Sequence, residues 1–278
     1  MHKKELLSFS FPLYLNSFLN NTRLLLPIYL MGVFLPSKDI GIFHICGKVA
    51  ALISISLISL DTIFGPTLSG LFAKNERKIL EKLLKTTTKW IFTVSLGIFF
   101  FLIIYSEQVL GIFGTEYSKG KSILLVLIIG QLVSVSIGSN SQIIIMSGRS
   151  KITLINSVIM FILMGIISVI LIPKYGALGA AIAITITTII ISMVIFFQVL
   201  IFEKIHPYKL SFIKPIIAGI GSFIMVNYYA SCVNLALILE LTSGVLIYFV
   251  IFILILYILK FDEEDKVVFD AIKQKLKR

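Results

Sequence analysis

The chain has 278 residues, of which 58% are hydrophobic and only 14% charged, and its formal net charge is +11. A mean hydropathy of +1.02 excludes a water-soluble globular domain, because too little polar surface is present to cover so much apolar volume. A basic balance can signal a nucleic-acid partner, but here 19 of the 25 lysines and arginines fall in alternate segments between apolar runs, so no nucleic-acid partner is expected.

About 20 residues at 1.5 Å rise cross a hydrocarbon core of roughly 30 Å. Eight runs meet that need, near 9–35, 41–71, 86–105, 122–146, 152–172, 177–202, 211–231 and 235–259. None alternates polar and apolar residues as a barrel strand does, so an all-α, polytopic transmembrane helical bundle is expected. The basic leader with Lys3 and Lys4 has no small-residue cleavage site after it, and Asn16, Asn20, Asn21 and Arg23 interrupt the apolar run that follows. It is expected to be the start of the first span, not a cleavable signal. Pro12 and Pro27 in that span, and Gly65-Pro66 in the second, are expected to kink these two helices.

Between the second and third spans, Lys74–Lys89 places Ile79, Leu80, Leu83 and Leu84 at helical spacing opposite lysines, which predicts an amphipathic helix along the inner membrane surface. Trp90 is then expected at the inner interface, with Tyr105, Tyr117 and Tyr175 at the outer one. Gly176, Ala177, Gly179, Ala180, Ala181 and Ala183 open the sixth span with small residues that permit close helix contact. The tail after Lys260 reads as a second amphipathic surface helix, with Asp262 as N-cap and Val268, Ile272 and Leu276 as its apolar stripe. Cations gather at the N-terminus, in 74–89, at Arg149 and Lys151, at Lys204, Lys209 and Lys214, and in the tail. By the positive-inside rule this side is cytoplasmic, and both termini lie on it.

Chemistry is sparse. His2, His44 and His206 are scattered, no HExxH, GxSxG or P-loop pattern occurs, and Cys46 and Cys232 form no CxxC. No catalytic residue, metal site or cofactor is expected, and the chain reads as a non-enzyme. What remains is a set of polar residues at membrane depth, which by default face a cavity or each other. Asn16, Asn20 and Arg23 recur at helical spacing on the first span. With Lys48 and Asp61 on the second span, and Gln131 and Asn140 on the fourth, they form the candidate substrate-binding set. Arg23 can equally pair with Asp61 as a structural bridge, and Lys48 can snorkel. Ser134, Gln142 and Asn156 either extend the lining or serve as interhelical hydrogen bonds.

Three passages carry a resemblance: GPTLSGLFAKNERKILEKLLKTTTKW, VLGIFGTEYSKGKSILLVLIIGQLV, and SGRSKITLIN followed by LIPKYGALGAAIAI. Together they resemble the C-terminal portion of polysaccharide-biosynthesis (O-antigen-type) oligosaccharide flippases, in the multidrug/oligosaccharidyl-lipid/polysaccharide exporter superfamily. The chain departs from that pattern in having Gly165-Ile166-Ile167-Ser168 before the LIP turn, and Arg23 where the family often has an acid. The resemblance implies a six-helix lobe over residues 1–202 matching the family's second lobe, two added helices over 203–260, and a cytoplasmic tail over 261–278. It also implies flipping of undecaprenyl-pyrophosphate-linked oligosaccharide across the cytoplasmic membrane by alternating access, in contact with membrane lipids. A cavity between two lobes then needs a first-lobe half, a second copy of this chain, or a longer chain of which this is a fragment. A multidrug or small-cation exporter of the same superfamily and a non-transporting membrane scaffold for polysaccharide enzymes are the alternatives.

Overall fold

The computed structural model describes residues 3–74, 76–232 and 237–259. Among them every regular element is a helix: α1 (Lys3–Phe34), α2 (Ser37–Ala50), α3 (Ile55–Ala73), α4 (Arg77–Gly111), α5 (Lys121–Ser136), α6 (Asn140–Met146), α7 (Ser150–Phe202), α8 (Ile213–Cys232) and α9 (Leu237–Ile258). Among the described residues, six segments are long and apolar enough to cross a membrane. One of them is the 53-residue α7, which turns at Gly176 (φ +60°, ψ −138°) and so supplies two passes. The polar residues of α1 keep that 32-residue helix outside the six. With α1 added and α7 counted twice, each of the eight expected passes has its helix. The chain is a multi-pass membrane protein.

The turn in α7 is built by glycine. A positive φ at Gly176 is open to a residue without Cβ, and a Cβ at Gly179 would stand 2.2 Å from the Leu171 carbonyl oxygen. The two arms of α7 therefore fold back on one another at closer range than any side chain allows. Their antiparallel course shows in the pairs that join them. Asn156 and Gln198 exchange two hydrogen bonds of 2.8 and 2.9 Å, and Arg149 reaches Glu203 at 3.4 Å while stacking 4.4 Å over the Phe202 ring. Helix α1 runs parallel to the first arm, with Asn20 against Ser157, Leu26 nearest Gly165 and Leu35 nearest Gly176.

Breaks in the other helices fall away from the prolines. α1 continues through Pro12 and Pro27, and α3 through Gly65-Pro66, because a lost hydrogen bond inside an apolar environment does not by itself end a helix. The second pass is instead divided by a 3-10 turn at Ala51–Ser54. There the Ser95 hydroxyl donates 2.6 Å to the Ile53 carbonyl and lies 2.9 Å from the Ser56 hydroxyl, supplying partners where the helical ladder is interrupted. The fourth pass is divided between α5 and α6 at Gly138 (φ +61°), where a Cβ would fall 2.1 Å from the Thr88 hydroxyl oxygen of α4.

Among the described residues, three of the packing regions carry most of the bundle. The largest joins α2, α4, α5 and the start of the second α7 arm through Phe43, Cys46, Leu124, Ile128, Ala180 and Ala181. A second, at the basic end, joins Leu68, Leu80, Leu84, Ile143, Ile144, Val199 and Ile205. This corrects the surface-helix expectation for Lys74–Lys89. From Arg77 onward the segment is the first part of α4 itself, which kinks farther on at Tyr105 (φ −105°, ψ 23°), and Leu80 and Leu84 pack into the protein instead of lying on lipid. The third region fixes α8 and α9 against α4 through Tyr105, Val226, Tyr248 and Phe252. Tyr105 is fully buried there and is not an interface anchor, whereas Tyr175 is exposed as expected. A Cβ at Gly244 would lie 2.4 Å from the Tyr105 ring, and one at Gly219 would lie 2.6 Å from Phe100. The expected tail helix lies outside the described residues.

Candidate functional site

The polar stripe of α1 meets polar residues of α7. The Asn20 amide donates to Asn16 Oδ1 and to Ser157 Oγ, each at 3.1 Å, and the Ser157 hydroxyl donates to Asn16 Oδ1. At the adjoining residue of the first arm, the Asn156–Gln198 pair joins the two arms of α7. Beside these groups lies a cavity of about 90 Å³ lined by Asn16, Asn20, Ser141, Thr153, Asn156 and Ser157, with isoleucines on the remaining walls. Amides and hydroxyls of this kind exchange hydrogen bonds with polyols as readily as with each other. At this volume the cavity admits water but not an oligosaccharide, and Asn16, Asn20 and Ser157 bond one another.

Arg23 lies one turn beyond Asn20 on α1. It is partly buried, and its Nε and Nη1 have no hydrogen-bond partner. The expected alternative, an Arg23–Asp61 bridge, is not formed. Asp61 lies on α3 beside Ser139, and its Oδ1 is also without a partner. Two unpaired ionic groups at membrane depth are expensive to hold, so each is a place where a ligand or counter-ion would be stabilised.

The remaining candidates are dispersed. Asn140, at the start of α6, is fully buried with neither amide atom bonded, close in sequence to Ser139 but not lining the cavity. Gln131 accepts 2.6 Å from Ser54 across α5 and the 3-10 turn, where it serves as an interhelical bond. Lys48 stands exposed on α2. The structure thus brings Asn16 and Asn20 together and adds Ser157, Gln198, Thr153 and Ser141, which periodicity on α1 alone does not reveal. Symmetry about the turn is the signal that finds Gln198. Asn156 and Gln198 stand almost equally far in sequence from Gly176, as partners in a hairpin must.

Long apolar helices, a hairpin pass turned on glycine and a polar seam at membrane depth define a polytopic membrane protein with an internal polar site. Residues 1–122 match the family model described as "Polysaccharide biosynthesis protein". Over these residues the chain is similar to this polysaccharide biosynthesis family. It is 31% identical over 192 residues to the capsular polysaccharide biosynthesis protein CapF of Staphylococcus aureus, covering 66% of this chain and 47% of that one. It is 26% identical over 160 residues to the probable low-salt glycan biosynthesis flippase Agl15 of Haloferax volcanii, covering 56% and 33%. The fold is that of the lipid II flippase MurJ in an inward closed conformation, with a TM-score of 0.69 at 17% identity, over 90% of this chain and 54% of that one. The chain therefore spans half or less of the curated relatives' lengths in the regions it matches.

Proposed function

We propose that this chain forms one half of a flippase that moves a lipid-linked oligosaccharide across the cytoplasmic membrane for surface polysaccharide assembly, by alternating access and without enzymatic chemistry. The observation that carries the reading is Arg23, a partly buried guanidinium with two unpaired nitrogens one turn from a seam of amides and hydroxyls. A guanidinium offers charge-assisted, bidentate bonds to a diphosphate, and the Asn16, Asn20 and Ser157 groups would turn from one another to sugar hydroxyls when the seam opens. The lipid carrier of the reading is undecaprenyl pyrophosphate, the basic ends of the helices face the cytoplasm, and Lys48, at the margin of α2, would attract the diphosphate before it reaches Arg23. The names of the relatives, glycan flippase and capsular polysaccharide biosynthesis protein, support the substrate class. The opposing wall of the cavity comes from a first-lobe half, whether in the same longer chain, a partner or a second copy.

The test is complementation of surface-polysaccharide assembly in a context that restores the whole transporter. Arg23→Ala is expected to abolish assembly, and Arg23→Lys, which keeps charge but not bidentate geometry, to restore part of it. Unchanged assembly in Arg23→Ala at wild-type protein levels would refute the reading. A second reading, export of small cations, is favoured by the unpaired Asp61 Oδ1. It predicts loss of drug efflux in Asp61→Asn, whereas a glycan flippase has no such efflux to lose.

A further inference from the structure

A layer of polar groups lies apart from the seam, where the fourth pass is interrupted. It is made by Asp61 of α3, Thr88 of α4, Ser139 ahead of α6 and Asn140 at its start. Asp61 stands beside Ser139. The Thr88 hydroxyl lies so close against the Gly138 backbone that a Cβ has no room there. Glycine at this position therefore lets the break and α4 approach.

Apolar packing fixes the layer from both sides. On one side Leu57 and Leu60 of α3, Ile91 of α4 and Val135 of α5 share a cluster. On the other, Leu68 of α3, Leu84 of α4, and Ile143 and Ile144 of α6 share the next. Along α4 the order is Leu84, Thr88, Ile91, and along the interrupted pass it is Val135, Ser139, Ile143. Each polar group on these two passes thus has an apolar contact about one turn away in either direction. Because the same passes are joined above and below, their polar residues are held in one layer.

Within that layer the groups do not serve one another. Thr88 and Asn140 are fully buried, and Ser139 is 2% exposed. Among the described residues, Asp61 Oδ1, Thr88 Oγ1, Ser139 Oγ and both amide atoms of Asn140 have no hydrogen-bond partner. No lysine or arginine among them forms an ion pair with Asp61. Leaving so many buried polar groups unmade is costly. A carboxylate beside a hydroxyl and an amide ordinarily takes their hydrogens. Oxygens gathered without hydrogen bonds between them instead have the arrangement of cation ligands, whose lone pairs converge on the ion.

The donor set says which cation. Carboxylate, hydroxyl and amide oxygens, with no imidazole or thiolate, suit a hard ion. The layer has one carboxylate, so a single positive charge neutralises it, whereas a divalent ion would leave excess charge in apolar surroundings. Asp61 is only partly buried, which gives an ion its way in. Backbone carbonyls at an interrupted membrane helix are the groups that complete such a shell.

We propose that Asp61, Thr88, Ser139 and Asn140 form a binding site for one alkali metal cation, which bridges α3 and α4 to the break in the fourth pass. The site is separate from Arg23 and the seam, and it does not rest on what the chain carries.

The experiment is thermal melting of the full chain in neutral detergent at constant ionic strength, a readout that involves no transport. Choline chloride is replaced stepwise by sodium chloride or potassium chloride, and in a separate series by calcium chloride. Sodium or potassium is expected to raise the melting temperature saturably, by about 5–10 °C at a hundredfold excess over the dissociation constant. Asp61→Asn, which keeps the shape and removes the charge, should abolish the shift. Thr88→Val, which exchanges a hydroxyl for a methyl group, should weaken the apparent affinity at least about tenfold. Asp39→Asn, which removes a carboxylate at the start of α2, should leave the response as in the wild type. An unshifted wild type, as protonated Asp61 or buried water in place of the ion would give, would overturn the proposal. So would a shift retained in Asp61→Asn, wild-type affinity in Thr88→Val, an equal loss in Asp39→Asn, or calcium acting through Asp61 at lower concentration than either alkali ion.

Discussion

Gly179→Ala tests the closeness of the α7 hairpin. The added methyl carbon would lie 2.2 Å from the Leu171 carbonyl oxygen and 2.6 Å from its carbonyl carbon. Carbon and carbonyl oxygen approach no nearer than about 3.3 Å without repulsion, so the arms must part by about 1 Å. The obstacle is backbone, which cannot rotate away as a side-chain end can. Overpacking of this kind destabilises by about 1–3 kcal/mol, and the helix preference of alanine over glycine returns less than about 1 kcal/mol. A net loss of about 2 kcal/mol corresponds to a fall in melting temperature of about 4–8 °C for a chain of this size. Gly165→Ala is the matched control on the first arm, where the nearest atom, of Leu26, is 4.0 Å away. The assay is thermal melting of the detergent-solubilised protein followed by monodisperse size-exclusion recovery. If Gly179→Ala melts with Gly165→Ala, the arms are not in backbone contact and the account of the hairpin is wrong.

Asn156→Leu leaves the Gln198 amide without its partner between the two arms of α7 and should destabilise by about 1–2 kcal/mol. Adding Gln198→Leu should recover most of that, and a double-mutant cycle from thermal melts showing strict additivity would contradict the reciprocal pair. At the opposite end of the bundle, Lys38 lies 2.6 Å from Glu116, and the hydrogen bond from Lys38, followed by its charge, holds the Glu116 carboxyl below its ordinary value. The sign follows from the direction. Whatever stability this pair contributes is present above the ordinary carboxylate range and is lost as pH falls through the depressed value. Since both groups are exposed, carbon NMR of labelled Glu116 is the sensitive readout. Lys38→Gln should move its titration upward with no measurable change in melting, and an unmoved titration would show that the pair does not form.

Much of the bundle is legible in the residues. Eight apolar runs predict eight passes because a backbone in lipid must satisfy its own hydrogen bonds, and length alone then counts the helices. The small residues from Gly176 to Ala183 announce close packing, and Gly176 and Gly179 prove to be the turn and the contact. Pro12, Pro27 and Pro66 do not end the helices that carry them. Two of the breaks, at Ala51–Ser54 and Gly138, lie against Ser95 and Thr88 of α4, remote residues that no local pattern connects to them. For the same reason the stripe of Leu80 and Leu84 looks like a membrane-lying face, yet meets Ile143, Ile144 and Val199.

The candidate site divides in the same way. Periodicity of 3.6 places Asn16, Asn20 and Arg23 on one side of α1 because helix geometry is local. It does not say what that side touches. Only tertiary structure brings Ser157 to Asn16 and Asn20, pairs Asn156 with Gln198, withholds Asp61 from Arg23 and gives Gln131 to Ser54. The sequence by itself determined a basic, polytopic helical membrane protein, its passes and the polar face of its first helix, since these follow from hydrophobicity and helical repeat. Tertiary structure alone decided which polar groups close a seam and which stay unpaired, since contacts between helices depend on where the glycine turn sends the second arm of α7.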